Sequence, residues 1–296
     1  MTMTDDLDFY AAPGAMTMME AADARLLTGL PATAPELCGI SAGLFVHEFL
    51  ATIYGVTDAA ERTEELENRT AGELLDVVVR RGGMRPLAQA REPEQRVIGN
   101  CRQFSVLTCA LLRRAGIPAR VRAGFAAYFQ PGTWTDHWIV ERWDADRDRW
   151  VRTDPQLDGT QRRVFGVDFD PMDLPAGHFL PGGEAWLRCR RGDDEPERFG
   201  IQDMRGPWFV ACSAVRDLAA LNKVEMHVWD TWGVMEAMVL AALTDAQLAQ
   251  VDHIARTADT GTLADIRRVY DADGVRVPGT VTSHRFGRTV SVGAAA

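Results

Sequence analysis

Apolar and polar positions along this chain follow two periods, and the change from one to the other marks its organisation. Between residues 15 and 80 the apolar positions recur mainly at helical spacing. AGLFVHEFLATIYG reads as a helix that stops at Gly55. ELLDVVVRRGG reads as another, with Arg80 and Arg81 in its last turn and a glycine pair beyond. From 96 to 155 the texture becomes one helix followed by three strands. Asn100 is an N-cap residue type, and Phe104, Leu107, Thr108 and Leu111 fall on one helical stripe, with Arg102 and Arg113 away from it. Gly116 and Pro118 stop that helix.

ARVRAGFAAYF then alternates as a strand, QPGTWT is a loop, and DHWIVERW alternates again. In the second strand His137, Ile139, Glu141 and Trp143 share one face, and Trp138, Val140 and Arg142 the other. DADRDR is a polar turn, and WVRTDP is a third strand that Pro155 closes. His137 and Asp154 therefore stand at the outer ends of a hairpin whose turn lies midway between them. Antiparallel pairing predicts both at the same end of the sheet, within reach of one another.

From 156 to 207 glycine and proline are frequent, which predicts long loops. The remainder returns to helix in WFVACSAVRDLAALNKVEMHVW, GVMEAMVLAALTDAQLAQVDHIARTA and TLADIRRVYDADG. No internal repeat is present, and only the tail VGAAA is of low complexity. The pattern predicts an α+β fold, a small antiparallel sheet against the Cys101 helix. It divides as a helical extension over 1–95, a core over 96–180, and a mainly helical extension over 181–296.

Composition changes this picture little. With 46% hydrophobic and 25% charged residues, the chain has enough apolar material for a core without disulfide or metal staples. A net charge of -10 argues against a nucleic-acid partner. The basic cluster Arg188, Arg190 and Arg191 is followed at once by Asp193, Asp194 and Glu195, so a solvated loop of mixed charge is the expectation. Five cysteines without CxxC spacing fit neither a disulfide scaffold nor a zinc ribbon. MTMTDDLDFYAAPGAM has no signal-peptide character, and GVMEAMVLAAL, broken by Glu236, is too short to span a bilayer. A cytoplasmic setting without membrane association is expected, one that keeps thiols reduced.

Among those thiols Cys101 stands out, because it falls in the first turn of its helix. The amides of a helix start carry partial positive charge and favour thiolate over thiol. Cys109 is mid-helix and reads as a small core residue. Cys38, Cys189 and Cys212 have no base nearby in sequence and read as structural.

Gly99-Asn100-Cys101, then ALLRRAGIPARV, then His137-Trp138, then Trp150 with Thr153-Asp154-Pro155 together resemble the transglutaminase-like superfamily of papain-related thiol enzymes. The elements recur in order and at compatible spacing, although each alone is weak. The resemblance implies a transglutaminase-like core with Cys101 as nucleophile, His137 as base and Asp154 as the group that orients it. It implies an acyl-enzyme on a peptide or small molecule carrying an amide or thioester. Completion by an amine is acyl transfer, and completion by water is hydrolysis, as in a peptidase or amidase. Some members of such families have lost the cysteine and only bind, so a binding module or a scaffold built on the long helices stands as the alternative.

By the same resemblance Gln95 matches the oxyanion glutamine of papain-like enzymes, beside the plainer reading of an exposed polar residue. Trp134 and Trp138 are candidates for the substrate wall, beside a packing role. Animal transglutaminases use a tryptophan upstream of the cysteine, whereas every tryptophan here lies downstream of Cys101. Glu141 shares the parity of His137, with a solvated strand face as the default. In NKVEMHVWDTWG, Trp229 and Trp232 border a channel or pack in the core. His47 beside Glu48 and the lone His178 match no ligand pattern, and DADRDR reads as a turn rather than a calcium loop. No metal and no cofactor are expected, and oligomeric state is left open.

Overall fold

The computed structural model describes residues 3–19, 23–240 and 242–292. Ala241 and most of the VGAAA tail lie outside the described residues. The chain forms two compact units that interleave in sequence. Of the described residues, one holds those within 3–121 and 139–175, the other those within 122–138 and 176–292.

The first unit contains α1 (Met3–Ala11), α2 (Ala34–Ile40), β1 (Phe45–His47), α3 (Ala71–Gly82), β2 (Val97–Gly99) and α4 (Cys101–Arg114). It also takes the start of β3 (Ala119–Ala126), the second half of β4 (Trp134–Asp144), then β5 (Arg149–Thr153) and α5 (Gly159–Phe165). Thr70 opens α3 with a capping box to Glu73, and Gly83, at φ 76°, ends it after Arg80 and Arg81, as the pattern predicts.

AGLFVHEFLATIYG is not one helix. Phe45–His47 is a fully buried strand, parallel to β2 with His47 opposite Gly99, and a 3-10 helix over Glu48–Tyr54 follows it to Gly55. A short apolar run buried on both faces carries no periodicity that separates strand from helix.

Helix α4 packs against α1, α2 and α3, and is buried on every side from Cys101 to Arg113. Arg102 and Arg113, expected to face away from the core, are buried with it. The Arg102 guanidinium donates to the Arg69 carbonyl at 2.7 Å, and that of Arg113 to Thr17 Oγ1 at 2.8 Å and the Ala119 carbonyl at 3.0 Å. Such partners offset part of the cost of burying the guanidinium groups, so the charge pattern understates the burial. The β4–β5 hairpin pairs Val140 with Thr153 and Trp143 with Trp150, antiparallel as predicted. Glu141, instead of facing solvent, is buried between Arg120 (2.7 Å) and Arg152 (3.1 Å).

The second unit contains the rest of β3 and β4, then β6 (Phe179–Pro181), α6 (Gly182–Arg191), β7 (Phe199–Ile201), β8 (Met204–Arg205) and α7 (Pro207–Leu221). Beyond these come β9 (Asp230–Thr231), α8 (Val234–Leu240), α9 (Asp245–Thr260), α10 (Leu263–Tyr270), β10 (Thr280–Ser283) and β11 (Arg288–Ser291). Its sheet runs β6-β3-β4-β7-β8, with β7 parallel to β4. The fold is α+β with helical extensions, and its sheet is mixed rather than purely antiparallel. Trp134 and Thr135, expected in a loop, belong to β4 because they pair with Phe199 and Gly200.

The stretch expected as long loops holds regular elements instead. Its glycines mark close approaches. Gly182 meets the Ser213 carbonyl where a Cβ would stand, and this lets α6 lie against α7. The basic cluster sits in the last turn of α6, with Arg188, Arg190 and Arg191 paired to Asp194, Asp252 and Asp193. The helix over WFVACSAVRDLAAL ends at Leu221, so NKVEMHVW is not helical, and Thr244 starts a separate helix with a capping box to Gln247. The β10–β11 hairpin was not predicted. Among the described residues no helix is long and apolar enough to cross a membrane.

Candidate active site

Cys101 is the first residue of α4 and is 7% exposed. The chain arrives along β2, whose Ile98 amide donates to Glu65 Oε2 at 2.7 Å. Asn100 then turns it into the helix. Its Oδ1 accepts from the Arg102 amide at 3.1 Å, while Gln103 Oε1 accepts from the Asn100 amide at 2.9 Å. Gln103 in turn donates Nε2 to the Leu66 carbonyl at 2.9 Å, so the cap is itself anchored. Sequence reasoning found Asn100 but missed Gln103, although the N-x-x-Q spacing is the capping-box signal.

Asp154 follows β5 and is 0% exposed. Its amide donates to the Pro171 carbonyl at 2.8 Å, and its Oδ1 accepts from the Gln156 amide at 2.9 Å, which closes a turn around Pro155. From Gln156 a line of side chains continues. Gln156 Nε2 donates to Gln161 Oε1 at 3.0 Å, and Gln161 Nε2 donates to the Tyr54 hydroxyl at 3.1 Å.

His137 lies on β4, three residues before Val140, and is 2% exposed. Its ring meets Phe129 edge-on at 4.9 Å and Tyr128 at 6.0 Å. These aromatics end the strand read as ARVRAGFAAYF and were not singled out. Beside it, burial pushes the Asp136 carboxyl up to about 7, against the opposing pull of Arg216 and His137. Trp138 is fully buried. Trp134 stacks on Phe199 at 5.7 Å and 4°, donates Nε1 to Asp194 Oδ2 at 2.9 Å, and lies under the Arg188 guanidinium. These contacts are those of a packing residue.

Gln95 is exposed, and its Oε1 accepts from the Arg85 guanidinium at 2.8 Å. Trp232 is buried and donates to the Val275 carbonyl at 2.8 Å, which gives it a core role, while Trp229 stacks on His227. Of the other thiols, Cys109 is fully buried in α4, and burial pushes Cys38 and Cys189 up to about 12 and Cys212 upward. Cys101 and Asp154 thus belong to the first unit, and His137, Trp134 and Trp138 to the second.

Residues 54–155, a span that includes Cys101, His137 and Asp154, match the family model of the transglutaminase-like superfamily. Among curated proteins none matches the chain significantly. Among solved structures, a candidate cysteine protease from Cytophaga hutchinsonii is similar, at 14% identity and a TM-score of 0.34. That likeness covers 60% of this chain and 45% of the other, so this chain spans less than half of that protein.

Proposed function

We propose, from the match of residues 54–155 to the transglutaminase-like superfamily, that the chain is a cysteine-dependent acyl-transfer or amide-bond enzyme. The family supports a thiol enzyme in general. The finer reading takes Cys101 as nucleophile, His137 as base, and Asp154 as the carboxylate that orients the imidazole. The observation that carries it is the placement of Cys101 at the capped start of α4. Helix-start amides favour an anion there, while the thiols of Cys38, Cys189 and Cys212 are pushed up by burial.

In this mechanism the imidazole takes the Cys101 proton as the sulfur attacks an amide or thioester carbonyl. The imidazolium then protonates the departing amine or thiol, and a thioester acyl-enzyme is left. Water completes hydrolysis, and an amine completes transfer. The Cys101 amide serves as one oxyanion donor, a contribution of about 3 kcal/mol in comparable sites. Gln95, engaged by Arg85, has no part in this scheme. The substrate is a peptide or small molecule with an amide or thioester, and a net charge of -10 disfavours nucleic acid.

Iodoacetamide labelling of the full chain, read by peptide mass spectrometry, tests the assignment. Cys101 is expected to react at pH 7 about tenfold faster than a peptide thiol, and His137→Ala is expected to remove the advantage. A Cys101 no faster than a peptide thiol overturns it. Intact mass after incubation with candidate thioesters, with and without an amine, separates transfer from hydrolysis.

A further inference from the structure

The line of side chains behind Asp154 leads back to the start of the cysteine helix. Asp154 Oδ1 holds the Gln156 amide, Gln156 holds Gln161, and Gln161 holds the Tyr54 hydroxyl, at 2.9, 3.0 and 3.1 Å. Gln156 donates at both ends, its backbone amide to Asp154 and its Nε2 to Gln161, and Asp158 fixes the same turn by accepting from the Thr160 and Gln161 amides, both at 2.9 Å. Gln156 and Gln161 are both buried, and Gln161 is engaged at both its side-chain oxygen and its side-chain nitrogen.

Tyr54 joins this line to the strands that lead to Cys101. It ends the 3-10 helix that continues directly from β1, and β1 pairs with β2, His47 standing opposite Gly99. Its ring also lies under the guanidinium of Arg96, at 5.7 Å, and Arg96 immediately precedes β2. Two residues beyond Gly99 the chain reaches Cys101. Tyr54 is therefore held from one side by the turn that carries Asp154 and from the other by the strand that delivers Cys101.

We infer that Tyr54, through Gln161 and Gln156, is a positioning residue that sets the Asp154 turn relative to the start of α4. The inference rests on the catalytic reading of Cys101 and Asp154. Tyr54 touches neither substrate nor the reacting atoms in it. The hydroxyl supplies the reach, and the ring keeps its contact with Arg96 when the hydroxyl is removed.

The test compares the pH profile of Cys101 alkylation in the full chain for the parent, Asp154→Ala, Tyr54→Phe and Gln161→Leu, with melting temperatures measured in parallel. Gln161→Leu breaks the same line without touching the ring, so a folding defect confined to one variant does not decide the outcome. Tyr54→Phe and Gln161→Leu are each expected to slow alkylation at pH 7 by about three- to tenfold, in the range of one lost hydrogen bond. Their profiles should move toward that of Asp154→Ala, and Tyr54→Phe combined with Asp154→Ala should lose little beyond Asp154→Ala alone. A shifted profile for Asp154→Ala with parent-like profiles for Tyr54→Phe and Gln161→Leu overturns the brace and leaves the catalytic reading intact. A parent-like profile for Asp154→Ala overturns both.

Discussion

Trp143 stands directly opposite Trp150 across the β4–β5 hairpin, their rings edge to face at 5.6 Å and 73°. The Arg120 guanidinium lies over the Trp150 ring at 4.2 Å and also pairs with Glu141 two positions along β4. Cross-strand aromatic pairs of this kind hold register, and a slip by one residue would move every side chain to the other face. The register is what leaves Asp154 one position past Thr153, the partner of Val140.

Asn100→Ala removes the acceptor for the Arg102 amide at the start of α4. The expected loss is about 1 kcal/mol of stability, read from urea unfolding, with slower alkylation of Cys101. An unchanged midpoint would show that the cap contributes nothing.

Gly124 on β3 has no room for a side chain. A Cβ there would stand 2.8 Å from Phe179 Cζ and 2.9 Å from Pro181 Cα, and would also meet the Leu180 carbonyl. Two of these are backbone atoms of β6 and cannot turn aside. Gly124→Ala is expected to cost about 1–3 kcal/mol or more, measured as a lower melting temperature.

Arg122 and Asp217 form a buried two-point ion pair at 2.8 and 2.7 Å. Asp217→Ala is expected to cost about 3–5 kcal/mol because it strands a buried guanidinium. Replacing both residues with leucine should recover most of that loss in equilibrium unfolding. Additive losses in the double variant would contradict the pairing.

Burial raises the folded-state carboxyl of Asp136 from 3.8 to about 7. Between those values the folded chain holds a proton that the unfolded chain has released. This group's contribution to stability is therefore complete below about pH 4, declines as pH climbs to 7, and is flat above. Asp136→Asn removes the dependence. The variant should gain on the parent from pH 5 to pH 7 by on the order of 1–3 kcal/mol in urea unfolding.

What the sequence showed and what it hid divide by distance along the chain. Helix α3, the Asn100 cap and the β4–β5 hairpin rest on neighbours a few residues apart, and local pattern revealed them. The burial of Arg113 depends on Thr17, 96 residues away, and that of Arg102 on Arg69, 33 away. Nothing in a helical stripe announces such partners. Gly182 reads as a loop residue until Ser213 is seen against it. In the candidate site the same rule holds: Cys101 at a helix start is visible in N-C-x-Q, whereas Gln161 and Tyr54, 107 residues apart, are not.

The encirclement of α4 also bears on where this molecule can be cut. Its wrapping includes Thr17, which receives Arg113, and Ser41, whose Oγ lies 2.7 Å from Thr108 Oγ1. Both precede residue 54, where the match to the superfamily model begins. A fragment trimmed to the matched span would expose flanks of α4 that are buried in the whole chain. The matched span and the span that keeps α4 dry thus have different borders.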